Sequence, residues 1–193
     1  ILRRFDLRVI SGLRKGHRLK SPKGIDIRPT EDKVKESIFN ILGRIDEDST
    51  ILDLFGGSGS IGIEFLSRGA KECFFVDISS NSISCIKDNL LHTKLNASAT
   101  VIKSDSLKTI MDLHSKNLKF DYIYLDPPFR HNQLLFQVLS TLNEYPILNI
   151  DGILIIEHES ELIMEDCMLS FDKIDERRYG SKTISFFKEF HRR

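Results

Sequence analysis

The sequence predicts an α/β protein, a mostly parallel, doubly wound sheet with a C-terminal antiparallel hairpin and a small N-terminal β-hairpin and helix ahead of it. Three observations carry this reading. From residue 50 onward, short apolar runs alternate with helix-periodic segments, the pattern of βαβ units. The last two dozen residues read instead as two strands around a turn near Tyr179–Ser181. The first 44 residues carry 12 Lys/Arg against 5 Asp/Glu, whereas residues 45–193 carry 16 against 23, so a basic head (1–44) precedes an acidic body (45–193).

Each element has its own signal. Leu7–Pro22, "LRVISGLRKGHRLKSP", places two short strand-like pieces around a glycine-bearing basic turn with Arg14, Lys15, Arg18 and Lys20. Thr30 is a good N-cap, with Glu31 and Asp32 where a helix dipole favours acids. Val34, Ile38, Ile41 and Leu42 share one helical face, and Gly43 ends it. Strands are then expected at 50–55, 72–77, 99–105, 120–126 and 152–158, with helices at 60–69, 79–92 and 133–142. Ile83, Ile86 and Leu90 face inward on one helix, as do Leu134, Leu135, Val138, Leu139 and Leu142 on another.

Totals narrow the function classes. No apolar run reaches membrane-spanning length and the N-terminal residues carry no secretory signal, so a cytoplasmic protein without membrane contact is expected. Cys73, Cys85 and Cys167 are odd in number and none sits at metal-ligand spacing, so neither a disulfide framework nor a metal site is expected. Cys73 and Cys85 fit core packing. The basic head suits either a polyanionic partner or a plain solvated face. A monomer is the default.

In doubly wound sheets ligands bind beyond the carboxyl ends of the strands, so the residues after each strand carry the question. The first strand runs into "DLFGGSGSIG", Asp53 to Gly62, with Gly57-x-Gly59-x-x-Gly62 between strand and helix. Such glycines let backbone approach a ligand at a helix N-terminus, and Phe55 and Ser58 lie in the same loop. The second strand ends in Asp77, 20 residues after Gly57, where an acid can accept hydrogen bonds from ribose hydroxyls. The third ends at Asp105, which can accept from the exocyclic amine of an adenine. Either acid can equally be a helix cap. Together they outline a nucleoside pocket for either NAD or S-adenosylmethionine (SAM).

The fourth strand separates these two. It ends in Asp126-Pro127-Pro128-Phe129. The prolines stiffen the turn and remove two N–H donors, leaving carbonyls and the Asp126 carboxylate as acceptors. Phe129 adds a flat apolar surface. This is a seat for a planar base bearing an amino group, whose lone pair is delocalised and must be aimed at an electrophile. Acceptors on both amine hydrogens achieve that by positioning.

These stretches resemble the RsmD-type bacterial methyltransferases: the glycine loop "DLFGGSGSIGIEFLSRGA", the tetrapeptide "DPPF", the upstream "RVISGLRKGHRLKSPKGIDIRPTEDKVKESIFNIL" and the closing "RRYGSKTISFF". The likeness runs from about Leu7 to Phe187. It implies a Rossmann-like SAM-dependent methyltransferase fold and methylation of the exocyclic N2 of a guanine in 16S ribosomal RNA, free or within the small ribosomal subunit. Asp53, Phe55, Gly57, Ser58, Gly59, Asp77 and Asp105 would then hold the cofactor, and Asp126 through Phe129 would form the catalytic tetrapeptide. Gly57 departs from the alanine more usual in the family. Arg14, Lys15, Arg18, Lys20, Arg28 and Arg130 are the expected RNA contacts, although Arg28 also suits an ion pair within the protein and Arg130 a plain surface position. His17, His131 and His158 are read as surface or supporting residues, since amine methylation needs no imidazole base. Other readings are a DNA adenine-N6 or cytosine-N4 methyltransferase, an NAD-dependent dehydrogenase, and a catalytically silent RNA-binding assembly factor. The dehydrogenase leaves DPPF unexplained.

Overall fold

A computed structural model describes residues 7–22, 31–128 and 132–190. The helix α1 (Glu31–Leu42) precedes an alternation of β1 (Thr50–Asp53), α2 (Ser60–Ser67), β2 (Glu72–Asp77), α3 (Ser80–Thr93), β3 (Ala99–Lys103), α4 (Ser106–Ser115), β4 (Phe120–Leu125), α5 (Asn132–Glu144) and β5 (Leu148–Glu159). Three further strands follow: β6 (Cys167–Met168), β7 (Phe171–Tyr179) and β8 (Lys182–Glu189). They form one sheet in the order β3-β2-β1-β4-β5-β8-β7-β6. Pairings among β1 to β5 are parallel, and those from β5 through β8 and β7 to β6 are antiparallel. The strand order reverses between β1 and β4, the topological switch point of a doubly wound fold.

Strand alternation sorts the side chains onto two faces. Ile51, Tyr122, Ile155, Ile184 and Phe186 meet α1, α2, α3 and the N-terminal segment. Leu52, Ile123, Leu154, Ile156 and Phe187 meet α4 and α5. Asp53, two residues after Ile51, therefore belongs to the first face, and so do Asp126, Glu157 and Lys182 by the same count.

The N-terminal arms pair antiparallel, with Val9 N–H donating to His17 C=O at 2.9 Å and Leu19 N–H to Leu7 C=O at 2.6 Å. Among the described residues a single bridge forms, Arg8 to Arg18, and the connection is a short 3₁₀ turn, Gly12–Arg14, not the two-stranded hairpin expected. The reason lies in α2. Buried Glu64 accepts from the N–H groups of Ile10 and Ser11 at 2.8 and 2.9 Å, and Ser67 Oγ accepts from Arg14 N–H at 2.9 Å. Of the donors a second rung would use, Glu64 takes Ser11 N–H and the turn takes His17 N–H through Arg14 C=O.

Most other boundaries match the expected ones closely, and β2 coincides with its expected span. Helix α4 was not expected, and β5 begins four residues early, at Leu148, with Asp151 at φ 65° ahead of the regular stretch. Gly43, at φ 69°, ends α1 and donates to Phe39 C=O. Thr30, the expected cap, lies outside the described residues. Among the described residues, no helix is long and apolar enough to cross a membrane.

The Glu64 contacts give a stability prediction. Glu64→Ala leaves two backbone donors unpaired and strips Arg68 of its 2.9 Å partner. Urea denaturation should show a loss of about 2–4 kcal/mol.

Candidate active site

A cleft of about 170 Å³ opens at the carboxyl ends of β1, β4 and β5. Asp53, Phe55, Gly57, Ser58, Tyr124 and Asp126 line it. Leu7, Pro22, Val34 and Lys35, from the N-terminal segment and α1, wall its other side. The segment that carries the basic residues is therefore part of the cleft. It is held there by Lys35, whose ammonium donates to Arg8 C=O.

The glycine loop is built by hydrogen bonds and close packing. Gly59 N–H donates to Gly56 C=O at 2.6 Å, and Gly59 caps α2 at φ 78°, a conformation a side chain disfavours. Gly62 faces β2 so closely that a Cβ would stand 2.3 Å from Phe75 Cε1, so the third glycine of the pattern sets the approach of helix to sheet. Asp77 fixes the loop from β2, its Oδ2 accepting from Gly57 N–H at 2.9 Å and its Oδ1 from Ser79 N–H at 2.7 Å.

The acids expected to hold a nucleoside differ in placement. Asp53 is almost fully buried in the cleft wall. Its Oδ2 takes a long 3.4 Å bond from Gly62 N–H, and its Oδ1 is buried without a partner. Burial above all, opposed by the Gly62 hydrogen bond, pushes its pKa from 3.8 to about 7, with the Asp77 charge adding to the rise. Asp105 is exposed, does not line the cleft, and caps α4 through Oδ1 on the N–H groups of Leu107 and Lys108.

Asp126 follows the last residue of β4 and is half-buried, with Pro127 buried and Pro128 exposed behind it. Phe129, Arg130 and His131 lie outside the described residues, as does Arg28. Beside Asp126 stands a group that the sequence reading missed. Tyr124 Oη donates to Glu157 Oε2 at 2.6 Å, and the Lys182 ammonium donates to Glu157 Oε1. All three line the cleft. Burial, reinforced by the Glu157 charge, pushes the Tyr124 phenol well up, so it remains a donor. The available signal was Glu157 itself, an acid at the end of an otherwise apolar strand.

The basic residues spread along the outside of α2 and α3. Lys15 and Arg18 are exposed, Arg14 is half-buried with its Nε lacking a hydrogen-bond partner, and Lys20 pairs with Asp88 of α3 at 2.9 Å. Asn89 of α3 joins this segment to the glycine loop: its Oδ1 accepts from Lys20 N–H, and its Nδ2 donates to Lys20 C=O and to Ser58 C=O. His17 Nδ1 donates to Arg14 C=O at 2.9 Å, away from the cleft. His158 is buried on the opposite face from the cleft, bonded to Ser185, and burial lowers its pKa.

Comparison with known proteins decides the family. The model described as "Conserved hypothetical protein 95" matches residues 7–188. Ribosomal RNA small subunit methyltransferase D of Haemophilus influenzae is 34% identical over 156 residues, covering 81% of this chain and 80% of that protein. The chain belongs to the small-subunit methyltransferase D family. YlbH of Bacillus subtilis, named as a candidate rRNA methyltransferase, is 38% identical and covers 95% of this chain and 99% of its own length. Among solved members of this fold, the candidate methyltransferase yhhF of Escherichia coli superposes with a TM-score of 0.82 at 26% identity, covering 97% and 99% of the two chains. The candidate methylase HI0767 of Haemophilus influenzae gives 0.78 at 30%, covering 96% and 99%. The methyltransferase D fold is thus the mixed sheet described above.

Asp53 yields a pH prediction. With a native pKa near 7 against 3.8 unfolded, the folded state keeps a proton that the unfolded chain has released. Stability without ligand should fall as pH rises from about 4 to about 7, by up to about 4 kcal/mol from this group, and level off above. Asp53→Asn should flatten that part of the profile in urea denaturation between pH 5 and 8. An unchanged slope would mean that Asp53 titrates as an ordinary acid.

Proposed function

We propose that this protein transfers a methyl group from S-adenosyl-L-methionine to the exocyclic N2 of a guanine in 16S ribosomal RNA. One observation carries the reading: the glycine loop and Asp126 line the same cleft from adjacent strands, β1 and β4. A donor seated on the first would lie beside an amine held by the second. The names of the relatives, ribosomal RNA small subunit methyltransferase D, supply the class of RNA.

The residues present fit the cofactor. Asp53 Oδ1 is a buried acceptor lacking a partner, which the α-ammonium group of an amino-acid moiety would satisfy. Gly57 lines the cleft with nearly open space where a side chain would stand, which leaves room for backbone approach ahead of α2. Asp77 presents a carboxylate whose oxygens each keep a further lone pair for ribose hydroxyls. When bound, SAM supplies an electrophilic methyl group on a sulfonium.

The protein's own part is positioning. Asp126 accepts one hydrogen of the target amine, and the carbonyls beside Pro127 and Pro128 offer acceptors in a stretch with no N–H groups. Holding both hydrogens aims the nitrogen lone pair into the cleft. The Asp126 carboxylate takes the released proton or passes it to water. Phe129 would stack on the base, and Asp105 would meet the adenine edge. The target must leave its stack to reach Asp126. Residues 1–44 would carry the RNA contacts and 45–193 the chemistry, in a monomer working in the cytoplasm.

Labelled methyl transfer to small subunits lacking the modification, followed by nucleoside identification by mass, tests the reading. N2-methylguanosine is the expected product, and Asp126→Ala should lower the rate about 100-fold or more while SAM still binds. Label on another nucleoside would overturn the guanine-N2 assignment. Lys15→Ala with Arg18→Ala should weaken RNA binding and flatten the log K against log[salt] slope by about 1–2, with SAM affinity unchanged.

A further inference from the structure

We propose that Asp126, Glu157 and Lys182 form a base-reading row that accepts the N2–H and N1–H of guanine and donates to its O6, so that the cleft selects guanine by its Watson–Crick edge. The inference rests on the guanine-N2 reading above and adds the residues that would enforce it.

The row follows from the sheet. β4, β5 and β8 are adjacent, with Leu125 opposite Ile156 and Glu157 opposite Ile184. One step further along β4 brings Asp126 level with Glu157. Lys182 lies two residues before Ile184, on the same face, and its stem carries the ammonium back to Glu157. The strand order β4-β5-β8 sets acceptor, acceptor, donor across the cleft, and the Lys182–Glu157 contact draws the last two together. Guanine presents the complementary order along one edge: the N2 amine, the N1–H and O6. Cytosine satisfies that edge in a base pair with the same pattern.

The polarity of each member is fixed. Tyr124 donates to Glu157 Oε2 and the Lys182 ammonium donates to Oε1, so Glu157 already serves as an acceptor, and its oxygens keep lone pairs for N1–H. Lys182 carries donors only. Adenine would set its N1 lone pair against the Glu157 carboxylate and its amine against the Lys182 ammonium. A site built to hydrogen-bond one edge rejects an analogue that leaves its groups opposed.

A purely structural role explains the group less well. β5 and β8 are already joined by a backbone register from Leu154 to Glu159 against Phe187 to Lys182. An ion pair with side chains only 5% and 13% exposed is costly to desolvate and adds little to a sheet already paired. Its position in the wall of the cleft, beside the acid that faces the amine, gives that cost a use.

The test uses small subunits reconstituted with 16S RNA bearing either guanine or 2,6-diaminopurine at the target position. Diaminopurine keeps the 2-amine, replaces O6 by an amine and replaces N1–H by a lone pair. Wild-type protein should prefer guanine in kcat/KM by about 10–100-fold. Glu157→Gln, whose amide can turn a donor towards N1, and Lys182→Met should each bring that ratio to within about threefold, with SAM affinity reporting an intact fold. Equal use of the two bases by the wild type overturns the base-reading row, whatever the variants do. Variants that bind SAM normally and keep the wild-type ratio also overturn it. If the wild type makes no N2-methylguanosine, the guanine-N2 reading falls and this inference with it. Nucleoside identification separates that case from methylation of guanine without discrimination.

Discussion

The cleft depends on the parallel pairing of β1 with β4. Chain segments leaving these two strands pass to opposite faces of the sheet, into α2 on one side and α5 on the other, and a crevice opens where they part. The pairing extends past the strand end, with Leu54 N–H donating to Tyr124 C=O at 3.1 Å. That bond keeps the glycine loop and Asp126 level across the seam. Without that pairing the glycine loop and Asp126 would not face one cleft.

The second organising feature is the way the N-terminal segment is fastened to the body. It contributes little regular structure of its own, and side chains of α2 and α3 satisfy its backbone: Glu64, Ser67 and Asn89. Asn89 is the most economical of the three, since one amide holds both Lys20 and the carbonyl of Ser58 in the glycine loop. A segment fastened in this way presents its basic residues on a fixed surface and also closes the cleft with Leu7 and Pro22.

The parts of this architecture that were legible from the sequence share a cause: they are local. β2 is a continuous apolar run bounded by acids and turn residues, and its limits could be read directly. The glycine loop and DPPF announce themselves by composition. Helix α4 is absent from the expected elements although its first signal was legible: Asp105 was one of two acids read equally as a ligand or a helix cap, and its carboxylate caps the helix. The irregular N-terminal arms were taken for strands because nothing local shows that Glu64, more than fifty residues away, claims their N–H groups. Glu157 and Lys182 were invisible as a pair for the same reason. Antiparallel pairing of β5 with β8 unites them across 25 residues, and pattern analysis does not report partners at that range. The position of Asp53 was predicted, but its unpartnered oxygen belongs to the packed structure alone.

The most direct measurement is a crystal structure of the protein with S-adenosylhomocysteine, the demethylated cofactor. Its sulfur is expected beside Asp126 at the β1–β4 seam, with its amino group on Asp53 Oδ1 and its ribose on Asp77. A sulfur seated away from that seam, or a cofactor turned so that its adenine lies against Asp126, would contradict the claim that the glycine loop and the Asp126 acceptor act on a single transferred methyl group.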